Sequence, residues 1–271
     1  MLQMTDQNRR GMAPPAWRSV FQNIGAIRIV SIVAALVAWE LLSRIVPNNL
    51  FPGPLESFGA LLSNIRDGVI FKHLALTLLR VFSGLALAMM IGVPVGIVMG
   101  LSKRAAAFLD AWLMISMAIP SLCYGLICFI IFGLNEFGAI LAIALTGAPS
   151  ITVNVWEGVK NLDAKLMRMA DAYQANRMLV LRHVILPQLA PYIMASLRFG
   201  LGLIWKIAIL VELLGLPNGV GFELYYWYQL ADMRQVLAWT LVFTLFMLFI
   251  EFGVFKRLET RLFSWRPSAS Q

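Results

Sequence analysis

Three charges, Arg198, Lys206 and Glu212, stand in the otherwise apolar run from Leu189 to Leu214. A charge at the centre of a lipid-embedded helix costs about 2.5–3.5 kcal/mol, so each needs a place away from the acyl chains. Lys206 and Glu212 are too far apart in register to form a local ion pair and lean to different faces of a helix. An ammonium at Lys206 suits the passage of a small anion along a polar path. A pair with a carboxylate on another helix, or a head that snorkels to the boundary, explains it equally well. Glu212 lies near one end of its run. It fits a gate, a cap for the Gly215–Gly221 loop, or simple interfacial exposure. Arg198 is read as solvent-facing near a mouth of the span, and Glu251 and Lys256 as interfacial.

Pro120, Ser121 and Tyr124, and Pro149, Ser150 and Thr152, mark bent or polar stretches of apolar segments. Such residues line a cavity, or serve kinks and helix packing. The two cysteines, Cys123 and Cys128, share one apolar run and read as small hydrophobes. His73 and His183 are the only histidines, too few nearby ligands for zinc. The chain contains no G-x-x-x-x-G-K-[ST] loop, no H-E-x-x-H and no G-x-S-x-G. Gly200-Leu201-Gly202 lacks the continuation of a dinucleotide fingerprint. A membrane enzyme would need clustered His, Asp, Glu or Cys at membrane depth. The residue types here point to moving a solute, with no catalysis and no cofactor in this chain. If nucleotide powers the movement, another chain binds it.

The elements that must position these residues follow from composition. Of 271 residues 60% are hydrophobic and only 13% charged. An average soluble domain is about 45–50% apolar and about 25% charged. One soluble core cannot hide this much apolar surface, and disorder is excluded for the same reason. A span needs roughly 20 apolar residues, so six spans use about 120 and leave short loops and two tails. The expected class is an all-α integral membrane protein. Its six spans fall at about 27–46, 81–102, 111–134, 137–156, 189–214 and 236–255. The third is broken or bent at Pro120, and residues 55–72 suit an amphipathic segment. Residues 1–26 are polar and mixed, not a signal peptide, and 257–271 form a second tail.

Residues 157–187 differ from the rest. Charges return, and Leu162, Leu166, Met169, Ala170 and Tyr173 recur at helical spacing as one apolar stripe. A helix lying in the headgroups, its bases facing anionic lipid, has this pattern. So does a helix seated in a partner's groove. The aromatic group Phe222, Tyr225, Tyr226, Trp227 and Tyr228 suits the headgroup level. With both termini in the cytoplasm, the inside segments carry 15 of the 22 Lys and Arg residues. Arg66, Lys72 and Arg234 lie outside, with Arg44 and Arg80 near the boundary. That bias sets the orientation and accounts for the net charge of +8 without nucleic acid. No inverted repeat is evident, which counts against a stand-alone secondary transporter.

At residues 157–191 the chain resembles the transmembrane permease subunit of bacterial ABC importers, in the nitrate/sulfonate/taurine branch of binding-protein-dependent systems. That family carries a cytoplasmic loop with Glu-Ala-Ala, three residues, Gly, and a later Leu-Pro. Ala170, Leu186-Pro187 and Pro191 match it. Arg168 stands where the glutamate is expected, Met169 where the first alanine is, and Gln174 where the glycine is. Leu50-Phe-Pro-Gly-Pro54, His73 to Gly84, Gly92-Val-Pro-Val-Gly96 and Gly100-Leu-Ser-Lys-Arg104 follow the family's order. So do Ile119-Pro120, Phe132-Gly133, Glu212-Leu-Leu-Gly215 and Gly219-Val-Gly221. The likeness spans about residues 28–266.

The resemblance implies a bacterial inner-membrane protein. Two copies form a pathway, two cytoplasmic ATPase subunits bind ATP and Mg, and a soluble binding protein delivers the small solute from outside. It implies that the helix around Leu162–Gln174 couples to the ATPase. Leu162, Lys165, Leu166, Arg168, Met169, Ala170, Tyr173, Gln174 and Arg177 belong to that surface, closed by Leu186 and Pro187. Lys165, Arg168 and Arg177 form its basic rim and would fix register. Gln174 in place of glycine implies a less tightly bent junction, or a partner groove shaped for this chain. Pathway or gate residues are sought among Pro120, Ser121, Tyr124, Lys206 and Glu212. The cargo implied is a small anion such as a sulfonate, taurine or nitrate. Look-alike relatives carry thiamine precursors or aromatic acids.

Overall fold

Apolar runs with few breakers make helices long enough to satisfy their own backbone in lipid, and the fold is all-α. The computed structural model describes residues 24–46, 50–255 and 257. The tails expected at 1–26 and 257–271, and Lys256, therefore lie almost wholly outside the described residues. The chain divides into two units, residues 1–59 and 60–271. In the first, α1 (Ile24–Ile45) is a single apolar helix leading to the start of α2 (Pro54–Arg66). The indole of Trp39 donates to Pro52 O at 3.0 Å, and Arg44 pairs with Glu40 at 2.9 Å one turn away.

The second unit holds α3 (Val69–Leu101), α4 (Lys103–Ala118), α5 (Ser121–Phe132) and α6 (Glu136–Lys160). Next come the short amphipathic α7 (Ala164–Ala172) and α8 (Arg177–Val180). A π-helical turn, Leu181–Ile185, joins α8 to α9 (Leu186–Leu213). After a loop come α10 (Val220–Gln229) and α11 (Met233–Phe249), the latter extended by a π-helical turn, Ile250–Phe255. Five helical stretches are long and apolar enough to cross a membrane among the described residues, with a sixth if α4 and α5 count as one broken span.

The start of one helix differs from the hydropathy reading, and the break in another agrees with it. The helix expected at 81–102 begins at Val69, a full three turns earlier, so His73 and Arg80 are inside it. The run at 111–134 is broken at Pro120 as expected, and α4 and α5 meet at an angle of 93°. Pro120 has no N–H to continue the ladder, and Ile119 before it is extended. Tyr124 O–H donates to Ser116 O at 2.8 Å and ties the two halves across the bend.

The core is a seam between α3 and α6. In lipid, water exclusion does not drive helices together; close packing does. Gly84, Ala88, Gly92, Gly96 and Gly100 recur every fourth residue on one face of α3. They receive Ile143, Ile151, Val155 and Val159 of α6, whose numbers rise with the glycines', so the helices run parallel. A β-carbon at Gly92 would lie 2.8 Å from Ile151 Cγ2, and one at Gly96 2.7 Å from Thr152 O. Any side chain there pushes the helices apart. α9 closes the other side of α6, with Leu201, Ile204 and Ala208 wholly buried. Trp205 stacks on Phe246 with ring centroids 5.7 Å apart. Cys128 is buried and Cys123 half-buried, both free, in keeping with packing roles.

Candidate functional site

Three places on this frame gather polar or uncovered side chains. The first is a cavity of about 380 Å³ at the α4–α5 break. α9 presents Leu203, Lys206, Ile207 and Leu210 to it, spaced three and four apart on one face. α6 presents Thr146 and Ser150, again one turn apart, and the break contributes Ser116, Pro120 and Ser121. Lys206 is exposed in this cavity. Among the described residues it has no hydrogen-bond or ion-pair partner, so no carboxylate from another helix pairs with it. Thr146 and Ser116 donate their hydroxyl protons to their own helices, at 2.7 Å to Ala142 O and 2.8 Å to Leu113 O. Ser121 and Ser150 make no such bond among the described residues.

Of the sequence candidates, Pro120, Ser121 and Lys206 thus come together. Tyr124 lines a neighbouring cavity of about 270 Å³ with Pro149 and Thr152, and Ser116 belongs to both. Glu212 is on neither. Arg198, read as solvent-facing, has a side chain 42% exposed and also meets Glu251, its Nε 2.8 Å from Oε1. That carboxylate sits on the π-helical turn after α11, a partner no local spacing announces.

The second place is a buried ion cluster around Arg80, a residue that hydropathy leaves at a loop boundary. Arg80 is wholly buried, and all five N–H groups of its guanidinium find acceptors. Nε and Nη2 fork onto the two oxygens of Glu136 at 2.7 and 2.6 Å. Nη1 reaches Glu212 Oε1 at 2.7 Å and Asn218 O at 2.9 Å, and Nη2 also meets Asn218 Oδ1. Glu212 Oε2 accepts from Gly221 N–H at 2.8 Å and Thr77 O–H at 3.0 Å. Val220 N–H donates to Thr77 Oγ1 at 2.9 Å. His73 completes the stripe, with Nδ1 accepting from Gly219 N–H at 3.2 Å and Nε2 3.3 Å from Glu223. Gly219 has φ +113°, a conformation that excludes ordinary side chains, and Glu212 fills the space beside it. The cluster pins the Leu214–Gly221 loop to α3 and α6, with Glu212 holding Gly221 N–H. The signal in the sequence is the polar stripe His73, Thr77, Arg80 on an otherwise apolar helix.

The third place is α7. The expected single stripe divides in two. Ala170 is buried, and Met167, with Leu162 just before the helix, is half-buried against the cluster of Val159, Ile185 and Leu189. Leu166, Met169 and Tyr173 are exposed, Tyr173 by 81%, beside exposed Lys165 and Arg168. The side chain of Arg177 lies outside the described ones. Leu186 and Pro187 start α9, exposed on its first turn. Gln174 closes α7 with φ +49°, and Ala175 N–H reaches back to Ala170 O at 3.0 Å. That is a Schellman end, the geometry glycine normally supplies. The junction is therefore as tightly turned as a glycine would make it, which does not match the looser-bend alternative and says nothing of a partner groove.

Among the described residues no three His, Cys, Asp or Glu side chains gather as a metal site. The arrangement positions charges and hydroxyls along helices and holds a loop.

Comparison with known proteins agrees with this reading. The profile of the family described as binding-protein-dependent transport system inner membrane component matches residues 88–263. The chain is 32% identical over 257 residues to the taurine transport system permease protein TauC of Escherichia coli (strain K12), covering 93% of this chain and 92% of that protein. It is 29% identical over 238 residues to the putative aliphatic sulfonates transport permease protein SsuC of Bacillus subtilis (strain 168), covering 87% and 86%. Among solved structures, a chain of the inward-facing MetNI methionine ABC transporter superposes with a TM-score of 0.64 at 18% identity, over 71% of this chain and 95% of that one. At that identity the likeness concerns the fold alone.

Proposed function

The chain belongs to the binding-protein-dependent transport system inner membrane component family, and from that premise we propose that it forms the solute pathway of an ATP-driven importer. It is a non-catalytic, multi-pass permease subunit. The broken α4–α5 pair serves as one span, which brings the count to six with both termini in the cytoplasm. Two copies meet to enclose the pathway, two ATPase subunits dock beneath, and a soluble binding protein delivers cargo.

The observation that carries this reading is the divided face of α7. Ala170, Leu162 and Met167 seat the helix on its own chain, while Leu166, Met169 and Tyr173 remain uncovered. A short helix anchored on one side and apolar on the other can transmit force to a partner seated on its free side. Lys165 and Arg168 rim that face and set docking register by charge.

Pro120, Ser121, Tyr124 and Lys206 line or border the pathway. An ammonium without a carboxylate partner favours an anion as cargo. The taurine and aliphatic sulfonate permeases among its relatives support an organic sulfonate as the solute class.

Native mass spectrometry of the chain, extracted gently from its own host, tests the assembly. The expected species holds two copies of this chain and two nucleotide-binding subunits. A chain that runs without any ATPase, where other such complexes survive, overturns the reading in favour of a stand-alone transporter.

A further inference from the structure

We propose that Lys206, with Ser121 and Ser150, forms a binding subsite for the oxyanion head of a small monoanion, a short-chain sulfonate or carboxylate. The subsite deepens the pathway reading and rests on it.

The cavity wall carries a single formal charge, the Lys206 ammonium, and no carboxylate. The carboxylate nearest on α9, that of Glu212, is committed to Arg80, Thr77 and Gly221. Lys206 therefore stands unneutralised where a pathway would run, and an anion is the species that matches it. Ser121 and Ser150 bring hydroxyl protons from α5 and α6, and neither proton is used within the described chain. An ammonium and two hydroxyls from three helices suit a head with several acceptor oxygens. The first turn of α5 also begins on this wall, and its dipole end adds to the field of the lysine without making a site alone.

The rest of the wall limits the tail attached to that head. Leu203, Ile207 and Leu210 are apolar, and about 380 Å³ falls at the small end of ligand cavities. A tail of a few carbons fits. One ammonium matches one negative charge, which favours a sulfonate or carboxylate over a dianionic phosphate ester. The ammonium needs only partial exchange of its hydration, so the site can release what it holds. A pathway needs that property.

The test uses the full chain in nanodiscs of zwitterionic lipid, with the extent of Lys206 acylation by an amine-reactive reagent read by mass spectrometry. Ethanesulfonate and propionate should protect Lys206 in a saturable manner. Ethyltrimethylammonium and ethanol, matched in size, should not. Ser150→Ala and Ser121→Ala should each weaken protection by about tenfold, the loss expected for one hydrogen bond to a charged group. These serines line the cavity and are replaced by a smaller side chain, so the fold is kept. Absence of protection, or equal protection by chloride at the same ionic strength, overturns the site. Protection that follows added phosphatidylglycerol instead of ethanesulfonate assigns the lysine to a lipid phosphate and also overturns it. The readout needs no ATPase. Failure here with an intact ATPase complex removes the subsite alone, whereas absence of that complex removes the importer reading.

Discussion

Nη1 of Arg80 lies 2.7 Å from Oε1 of Glu212, and neither side chain is exposed at all. The two residues are 132 positions apart, on α3 and α9, and the contact closes the bundle at one end. A guanidinium and the Glu212 carboxylate held without water are tolerable only because every N–H has an acceptor, the half-exposed Glu136 among them, and the Glu212 oxygens have further donors. The cluster sets the place of the loop that α9 turns into.

Removing Arg80 leaves Glu212 buried and unmatched. Arg80→Leu should destabilise the protein by about 3–5 kcal/mol, read as a fall in melting temperature in detergent. Arg80→Lys should rescue little, because an ammonium cannot fork onto Glu136 while reaching Glu212 and Asn218. Full stability of Arg80→Lys would mean that charge alone, not the fork, holds the loop.

Gln174 keeps a left-handed backbone that L side chains adopt at about 1 kcal/mol or more. Gln174→Gly should therefore tighten the end of α7 by about that amount, seen as slower amide exchange at Tyr173 and Ala175. Gln174→Val should loosen it. Equal exchange in all three proteins would show that the turn is set by its surroundings.

The two faces of α7 should separate in mutants. Met169→Asp and Tyr173→Asp should leave melting unchanged and weaken ATPase capture by at least about tenfold, as loss of a central contact does. Ala170→Leu should instead lower the melting temperature, because Ala170 is 5% exposed and packs on its own chain. Pull-down against thermal melting distinguishes the two classes. An Ala170→Leu protein that melts normally but loses the ATPase would move Ala170 to the partner face.

The α3 stripe should reject side chains. Gly96→Leu collides with Thr152 O and Val155 and should cost about 1–3 kcal/mol or prevent insertion as a stable fold. Gly59→Ala, where no atom lies within 4 Å of the added carbon, serves as the control. Melting of the two variants side by side is the measurement.

Hydropathy makes the apolar helices legible, because the bilayer demands long runs and the chain supplies them. It places the break at Pro120 for a backbone reason that needs no tertiary information. It misplaces the start of α3, because a guanidinium in an apolar run looks like the end of a span. Arg80 is inside only because Glu136 and Glu212 come to it from 56 and 132 positions away, and no local window contains that pairing. The stripe on α7 is visible as a period, but which half faces home depends on Val159, Ile185 and Leu189. Lys206 stands out for its cost in lipid. That Ser150 and Ser121 share its cavity comes from the 93° bend and the approach of α6, which one sequence does not display.

The glycine stripe has a mechanical meaning. α3 is 33 residues long, about 50 Å, and it is stitched to α6 in parallel from Gly84 to Gly100. Two rods bonded side by side bend far less than one, so the pair behaves as a stiff beam. One end of the beam carries Arg80 and Glu136; the other runs through Lys160 into the short turn before α7. A displacement applied at α7 cannot be absorbed by flexing along the seam. It would reach the Arg80 end as tilt and carry the loop pinned there with it.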